Sequence, residues 1–160
     1  MNDTFGQGLR CLVVDDDESL RLVLEETLSR AGFSVATAGS LAEARTRLAG
    51  EPLDLVVTDV NLPDGSGLSL LEELRARESD AEVIVMTAFG TLGAAMDALR
   101  AGASEFLTKP FEGLEAVRSR VRRVVESLRL RRSERALTRQ LQEKIETLAT
   151  FIKVELKLKQ

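Results

Sequence analysis

The chain contains no histidine, no tryptophan and no tyrosine, and it has one cysteine among 160 residues. Without imidazole there are no His-based metal sites, no Ser-His or Cys-His nucleophile pairs and no phosphohistidine of the chain's own. The lone Cys11 has no internal disulfide partner. It stands inside an apolar run, where it reads as strand core, and a reducing cytoplasm is the expected setting. Proline is scarce, at three residues, and no apolar run approaches the roughly 18 residues that span a bilayer. The polar start, Met1 to Gly8, has no signal-peptide pattern. No membrane association is expected.

Charge is present but unevenly divided. Residues 1–113 hold 9 basic and 20 acidic side chains, a net of −11, whereas residues 114–160 hold 13 and 6, a net of +7. Such asymmetry points to two parts with different tasks. The same boundary separates the breakers, because Gly113 is the last glycine and Pro110 the last proline.

Up to that boundary short apolar runs alternate with amphipathic stretches. Cys11–Val14 ends at Asp15-Asp16-Asp17 and reads as a buried strand. Leu20, Val23, Leu24, Leu28 and Ala31 form a helical stripe closed by Gly32. Phe33–Ala38 reads as a second strand. Ser40-Leu41-Ala42-Glu43 is a capping box that opens a helix to about Ala49. Strands are expected at Leu53–Thr58, Val83–Thr87 and Glu105–Thr108, and helices over 68–77, 92–101 and from Leu114 onward. This pattern predicts an α/β fold, with a five-stranded parallel sheet between helices.

In such a fold the chemistry gathers at the carboxyl ends of the strands. Asp15 and Asp16 follow the first strand and Asp59 ends the third. Clustered carboxylates repel, so they call for a cation, and hard oxygen ligands with open positions suit Mg²⁺. The competing reading has Asp15 to Asp17 only capping the first helix. Thr87-Ala88 ends the fourth strand with a hydroxyl beside a small residue, and Lys109-Pro110 ends the fifth with a cation. A nucleophile, a metal site, a neutral donor and a cation together suit phosphoryl transfer to an aspartate. A haloacid-dehalogenase-type phosphatase would place a second aspartate two positions after the first, where this chain has Asn61. A dinucleotide-binding fold would carry G-x-G-x-x-G, which is missing.

Val14-Asp15-Asp16, Asp59 with Leu62-Pro63-Asp64-Gly65, Met86-Thr87-Ala88 and Lys109-Pro110-Phe111 together resemble the response-regulator receiver domain of two-component signalling, a CheY-like (βα)5 fold. The runs Met86–Thr91 and Phe106–Phe111 are similar to the nitrogen-regulator C (NtrC) subgroup. Members of that subgroup usually continue into an ATPase and a DNA-binding domain, and this chain is expected to depart from that pattern in its output half.

The resemblance implies a phosphoacceptor at Asp59. It implies a Mg²⁺ site, able to take Mn²⁺, formed directly by Asp16, Asp59 and the backbone carbonyl of Asn61, with Asp15 acting through water. Lys109, Thr87, Ala88 and Phe106 become the phosphoryl-binding and switch positions. The Lys109-Pro110 bond is expected cis, and Asn61 and Phe89 stand where hydrolysis is tuned. The donor implied is a sensor histidine kinase in trans, and the chain is a phosphoacceptor that is not a dedicated enzyme. Phosphorylation is expected to switch the face made by the fourth helix, fifth strand and fifth helix. An unphosphorylated scaffold that signals through its tail is the alternative.

The expected organisation is a flexible N-terminus at 1–8, a receiver over 9–127 and a helical tail or linker over 128–160. In the tail the stripe Val117, Val121, Val124, Leu128 lapses at Arg129–Arg135. It resumes out of phase at Leu137, Leu141, Ile145, Leu148 and Ile152, with steps nearer an 11-residue than a 7-residue repeat. This is a candidate dimerisation coiled coil, and a homodimer through the fifth helix and tail is expected. Ile152–Lys159 alternates with period two and reads as either an edge strand or a frayed helix end. The tail arginines spread around the helix with no interleaved aromatic, so DNA binding by this chain itself is not expected.

Overall fold

The computed structural model describes residues 3–88 and 92–160. The chain divides into two compact units, Met1–Val125 and Glu126–Gln160. In the first, elements follow in the order β1 (Arg10–Val14), α1 (Glu18–Arg30), β2 (Ser34–Ala38), α2 (Leu41–Leu48) and β3 (Leu55–Asp59). Then come β4 (Asn61–Leu62), β5 (Gly65–Ser66), α3 (Leu68–Ala76), β6 (Glu82–Ala88), α4 (Leu92–Arg100), β7 (Glu105–Lys109) and the start of α5 (Leu114–Leu158).

The five longer strands form one parallel sheet in the order β2-β1-β3-β6-β7. Its strands alternate their side chains between two apolar layers. Cys11, Val13, Leu55, Val57, Ile84, Met86 and Leu107 face α1 and α5, meeting Leu24, Leu28, Val117, Val121 and Val124. Leu12, Val14, Val56, Val83 and Val85 face α2, α3 and α4, meeting Leu41, Leu70, Leu71, Leu74 and Ala98. Both faces are covered, which is why these strands read as continuous apolar runs. The strand order reverses between β1 and β3, so the sheet's switch point lies between their carboxyl ends.

Helix ends follow the sequence signals. Asp17 caps α1 by accepting from the amides of Ser19 and Leu20. Gly32 closes α1 at φ 101°, with Phe33 N–H donating to the Leu28 carbonyl and Gly32 N–H to Ser29. That pair of bonds needs a residue in the left-handed region, which glycine occupies without steric cost. At α2, Ser40 Oγ accepts from Glu43 N–H, while the Glu43 carboxylate reaches back to Gly39 N–H, one residue before the box position.

Two expectations are corrected and one element is added. The third strand lies two residues further on than expected at its start, because Pro52-Leu53-Asp54 forms the approach and Asp54 N–H instead bonds the Arg10 carbonyl. A two-stranded antiparallel ribbon, β4–β5, interrupts the loop after β3. The edge-strand reading of Ile152–Lys159 fails: α5 runs as a 45-residue helix to Leu158. A lone strand there would leave its backbone groups unpaired, whereas a helix pairs them internally. The same helix passes through Arg129–Arg135, whose Arg, Leu and Glu are good helix formers.

The residues ahead of β1, set apart in the sequence as a flexible N-terminus, make specific contacts from Asp3 onward. Gly6 N–H bonds the Ala31 carbonyl, and Phe5 packs edge-on against Phe33 with ring centroids 5.9 Å apart. The guanidinium groups of Arg118 and Arg122 lie 6.0 and 5.1 Å from the Phe5 ring centre, and Arg122 also pairs with Asp3.

Candidate functional site

Parallel pairing brings the expected residues to one edge of the sheet. Val14 is opposite Thr58, so Asp15 and Asp59 continue side by side from β1 and β3. Asp59 is opposite Met86, which puts Thr87 and Ala88 at the next positions of β6, and Ala88 is opposite Lys109 on β7. Four strand ends thus deliver two carboxylates, a hydroxyl and an ammonium to the same place.

Asp15 is fully buried and Asp59 is 9% exposed. Asp16 is exposed, yet one carboxylate oxygen from each of Asp15, Asp16 and Asp59 lies within 4.8 Å of the others. Lys109 Nζ bonds both Asp15 Oδ2 and Asp59 Oδ2, the latter at 2.7 Å. Burial raises the Asp15 pKa from its ordinary value, and the bond from Lys109 only partly offsets this. For Lys109, burial pulls the pKa down, but its bonds to Asp15 and Asp59 prevail and the net direction is up. The ammonium is therefore held charged where two carboxylates converge.

Backbone groups complete the frame. Asp17 N–H donates to Asp15 Oδ1 at 2.9 Å, and Asn61 N–H donates to Asp59 Oδ1 at 2.9 Å. Thr87 is buried and Ala88 exposed, while Phe106 is half-buried against the layer that contains α2, α3 and α4. The Lys109-Pro110 peptide is cis. Asn61 lies on β4 with an exposed side chain. Phe89, with Gly90 and Thr91, lies outside the described residues.

The helix-capping reading of the acidic triplet holds for Asp17 alone, since Asp15 faces Lys109 and Asp16 belongs to the carboxylate cluster. Three carboxylates converging from two neighbouring strand ends form a hard oxygen donor set that fits a small divalent cation.

Some contributors were not legible in sequence. Asp64 accepts from the amides of Leu41 and Ala42 at 2.8 and 3.0 Å, which pins the loop after Asp59 to the start of α2. These bonds lower the Asp64 pKa. Gly67 lies so close to the strand that a Cβ there would meet the Asp59 carbonyl oxygen at 2.0 Å. A carboxylate before glycine signals a turn in sequence; its partner 23 residues away does not appear there.

With this geometry in place, likeness to known proteins becomes informative. The model of the response regulator receiver domain matches residues 11–122, so the chain belongs to that family. Its relatives include response regulators of the NtrC-like kind. It is 46% identical over 103 residues to the response regulator protein PilR of Pseudomonas aeruginosa, covering 64% of this chain and 23% of PilR. It is 36% identical over 142 residues to the C4-dicarboxylate transport transcriptional regulatory protein DctD of the same species, covering 89% and 30%. The crystal structure of NtrX from Brucella abortus matches with a TM-score of 0.76 at 28% identity, covering 81% and 29%. The chain therefore spans less than a third of the length of each.

Receiver domains of two-component systems are signalling modules rather than dedicated enzymes. They bind Mg²⁺ at an acidic pocket, and response regulators take phosphoryl groups from histidine kinases. Among the described residues no helix is long and apolar enough to cross a membrane.

Proposed function

We propose that the chain accepts a phosphoryl group on Asp59 from a phosphohistidine of a sensor kinase acting in trans, and carries the change to its C-terminal helix. One observation supports this above the rest: Lys109 bonds both Asp15 and Asp59 at the switch-point edge of the sheet. In the transfer, an Asp59 carboxylate oxygen attacks phosphorus. The P–N bond to the donor imidazole breaks, its electron pair leaves with the imidazole, and an acyl phosphate remains.

Asp16, Asp59 and the Asn61 backbone carbonyl are the proposed direct ligands of Mg²⁺, with Asp15 acting through water and Mn²⁺ as a substitute. When bound, the ion neutralises charge on the phosphoryl oxygens. Lys109 exchanges its bond to Asp59 for one to a phosphoryl oxygen. The Thr87 hydroxyl donates to another, Ala88 leaves the approach open, and Phe106 moves inward from its half-buried place. Phe106 has no hydroxyl, so it contributes burial alone. Asn61 and Phe89 set the lifetime of the acyl phosphate, and Phe89 is too apolar to orient water.

The switch acts through α4, β7 and α5, and α5 supplies the tail of a homodimer. The likeness to DctD reaches past Val125 into that tail, since it takes in 142 of the 160 residues. DctD is named a transcriptional regulatory protein, and control of transcription is the proposed output, without direct DNA contact by this chain.

Acetyl phosphate labelling in Mg²⁺ is the direct test. Wild type should acquire an acid-stable, hydroxylamine-labile phosphoryl group, and Asp59→Asn should acquire none. Equal labelling of the two refutes the assignment, and no labelling of wild type by either acetyl phosphate or a kinase favours the scaffold alternative.

A further inference from the structure

Asp15 is held by a side-chain donor that phosphoryl transfer does not use. Arg21 stands on α1 one turn beyond the capping Asp17, and its Nη1 donates a 2.6 Å hydrogen bond to the Asp15 backbone carbonyl. The guanidinium lies against Gly39 just past β2, where an added Cβ would stand 3.0 Å from Nη1. The remaining groups of Asp15 are also engaged. Its N–H donates to the Ala38 carbonyl at 3.1 Å, Oδ1 accepts from Asp17 N–H, and Oδ2 accepts from Lys109.

Asp16 is different, being exposed, so its carboxylate takes its place from its backbone. A peptide unit is planar and rigid. The Asp15 carbonyl and the Asp16 N–Cα bond belong to the same plane, so a donor that fixes the one fixes the other. A guanidinium donor makes one of the stronger hydrogen bonds available to a carbonyl. We propose that Arg21 is a positioning residue for the divalent-cation site, which clamps the Asp15–Asp16 peptide and so presets the Asp16 carboxylate beside those of Asp15 and Asp59. The inference rests on the cation reading given above.

Arg21 also carries a positive charge, whose repulsion of a cation would act in the opposite direction. The sign of the effect therefore separates the two roles. The experiment is calorimetric titration of the full chain with Mg²⁺, with the metal-free melting temperature recorded for each variant. Arg21→Met keeps the length of the side chain and removes the donor; it should weaken Mg²⁺ binding about tenfold, in line with other outer-shell partners. Arg21→Lys, which restores a cationic donor, should recover most of that loss. In an Asp16→Ala background, Arg21→Met should cost little more, because no carboxylate is left to preset. Unchanged or tighter binding by Arg21→Met overturns the proposal, as does the same fold-loss with and without Asp16. A wild-type chain that shows no saturable Mg²⁺ binding overturns the cation reading, and this inference with it.

Discussion

Asp15 has the costliest position of any side chain in the site. A carboxylate with no exposure loses its hydration, and its raised pKa records that loss. Lys109 answers with a bond to it while bonding Asp59, so one ammonium serves two carboxylates. These residues were readable from sequence because each stands where an apolar run stops, and a parallel sheet gathers such stops at one edge. Gly67 was not readable in the same way. Its φ is −60°, which any residue adopts, so no turn signal marks it. Its importance lies in proximity: a Cβ would stand 2.0 Å from the Asp59 carbonyl oxygen and 2.7 Å from Thr58 Oγ1. The clash is with backbone at the third strand, which cannot swing aside as a flexible side chain would. Gly67→Ala should therefore lower stability in urea unfolding by about 3 kcal/mol, the upper part of the range for overpacking. A loss below about 0.5 kcal/mol would mean that the loop after Asp59 yields freely.

Among the elements, sequence period identified every long strand and helix of the receiver, since strands buried on both faces and helices with one buried stripe leave different marks. The β4–β5 ribbon escaped because two residues per strand carry no period. Its anchor is equally hidden: the Asp64 carboxylate takes two of the free amides that begin α2, where the helix dipole also favours negative charge. The consequence for pH has a definite sign. The folded pKa of Asp64 lies below its unfolded value, so the stabilisation is complete above the ordinary carboxylate range of about 4 and is lost as pH falls through the folded value. Asp64→Asn keeps one acceptor oxygen but not the charge. Wild type should therefore be the more stable at pH 7, with the gap narrowing towards pH 3 in chemical denaturation. A gap that stays constant across that range would show that the charge of Asp64 contributes nothing at the α2 terminus.

The whole molecule poses the question of what the second unit is for. In Glu126–Gln160, Leu137, Leu141, Ile145, Leu148 and Ile152 are each between 56 and 63% exposed. A helix draws most of its stability from packing an apolar face rather than from propensity alone. Here the face follows steps of four, four, three and four, close to the 11-residue period that winds helices into a right-handed supercoil. A second copy of the chain would supply the matching stripe, and the arginines spread around the helix would stay in water, consistent with the homodimer proposed above. Ile145 is central to the stripe, so burying a carboxylate there would leave an unpaired charge at the interface. Sedimentation should show wild type as a dimer and Ile145→Glu as a monomer at the same concentration, with the dimer constant weakened at least a hundredfold. A chain ending at Leu130 should likewise be monomeric while keeping the receiver's melting transition, because it retains both apolar layers of the sheet and the buried Leu128. Beryllofluoride should shift the wild-type equilibrium and leave the truncated chain monomeric. Dimerisation that survives both changes would place the interface on the receiver itself, and the exposed stripe of α5 would then belong to a different partner.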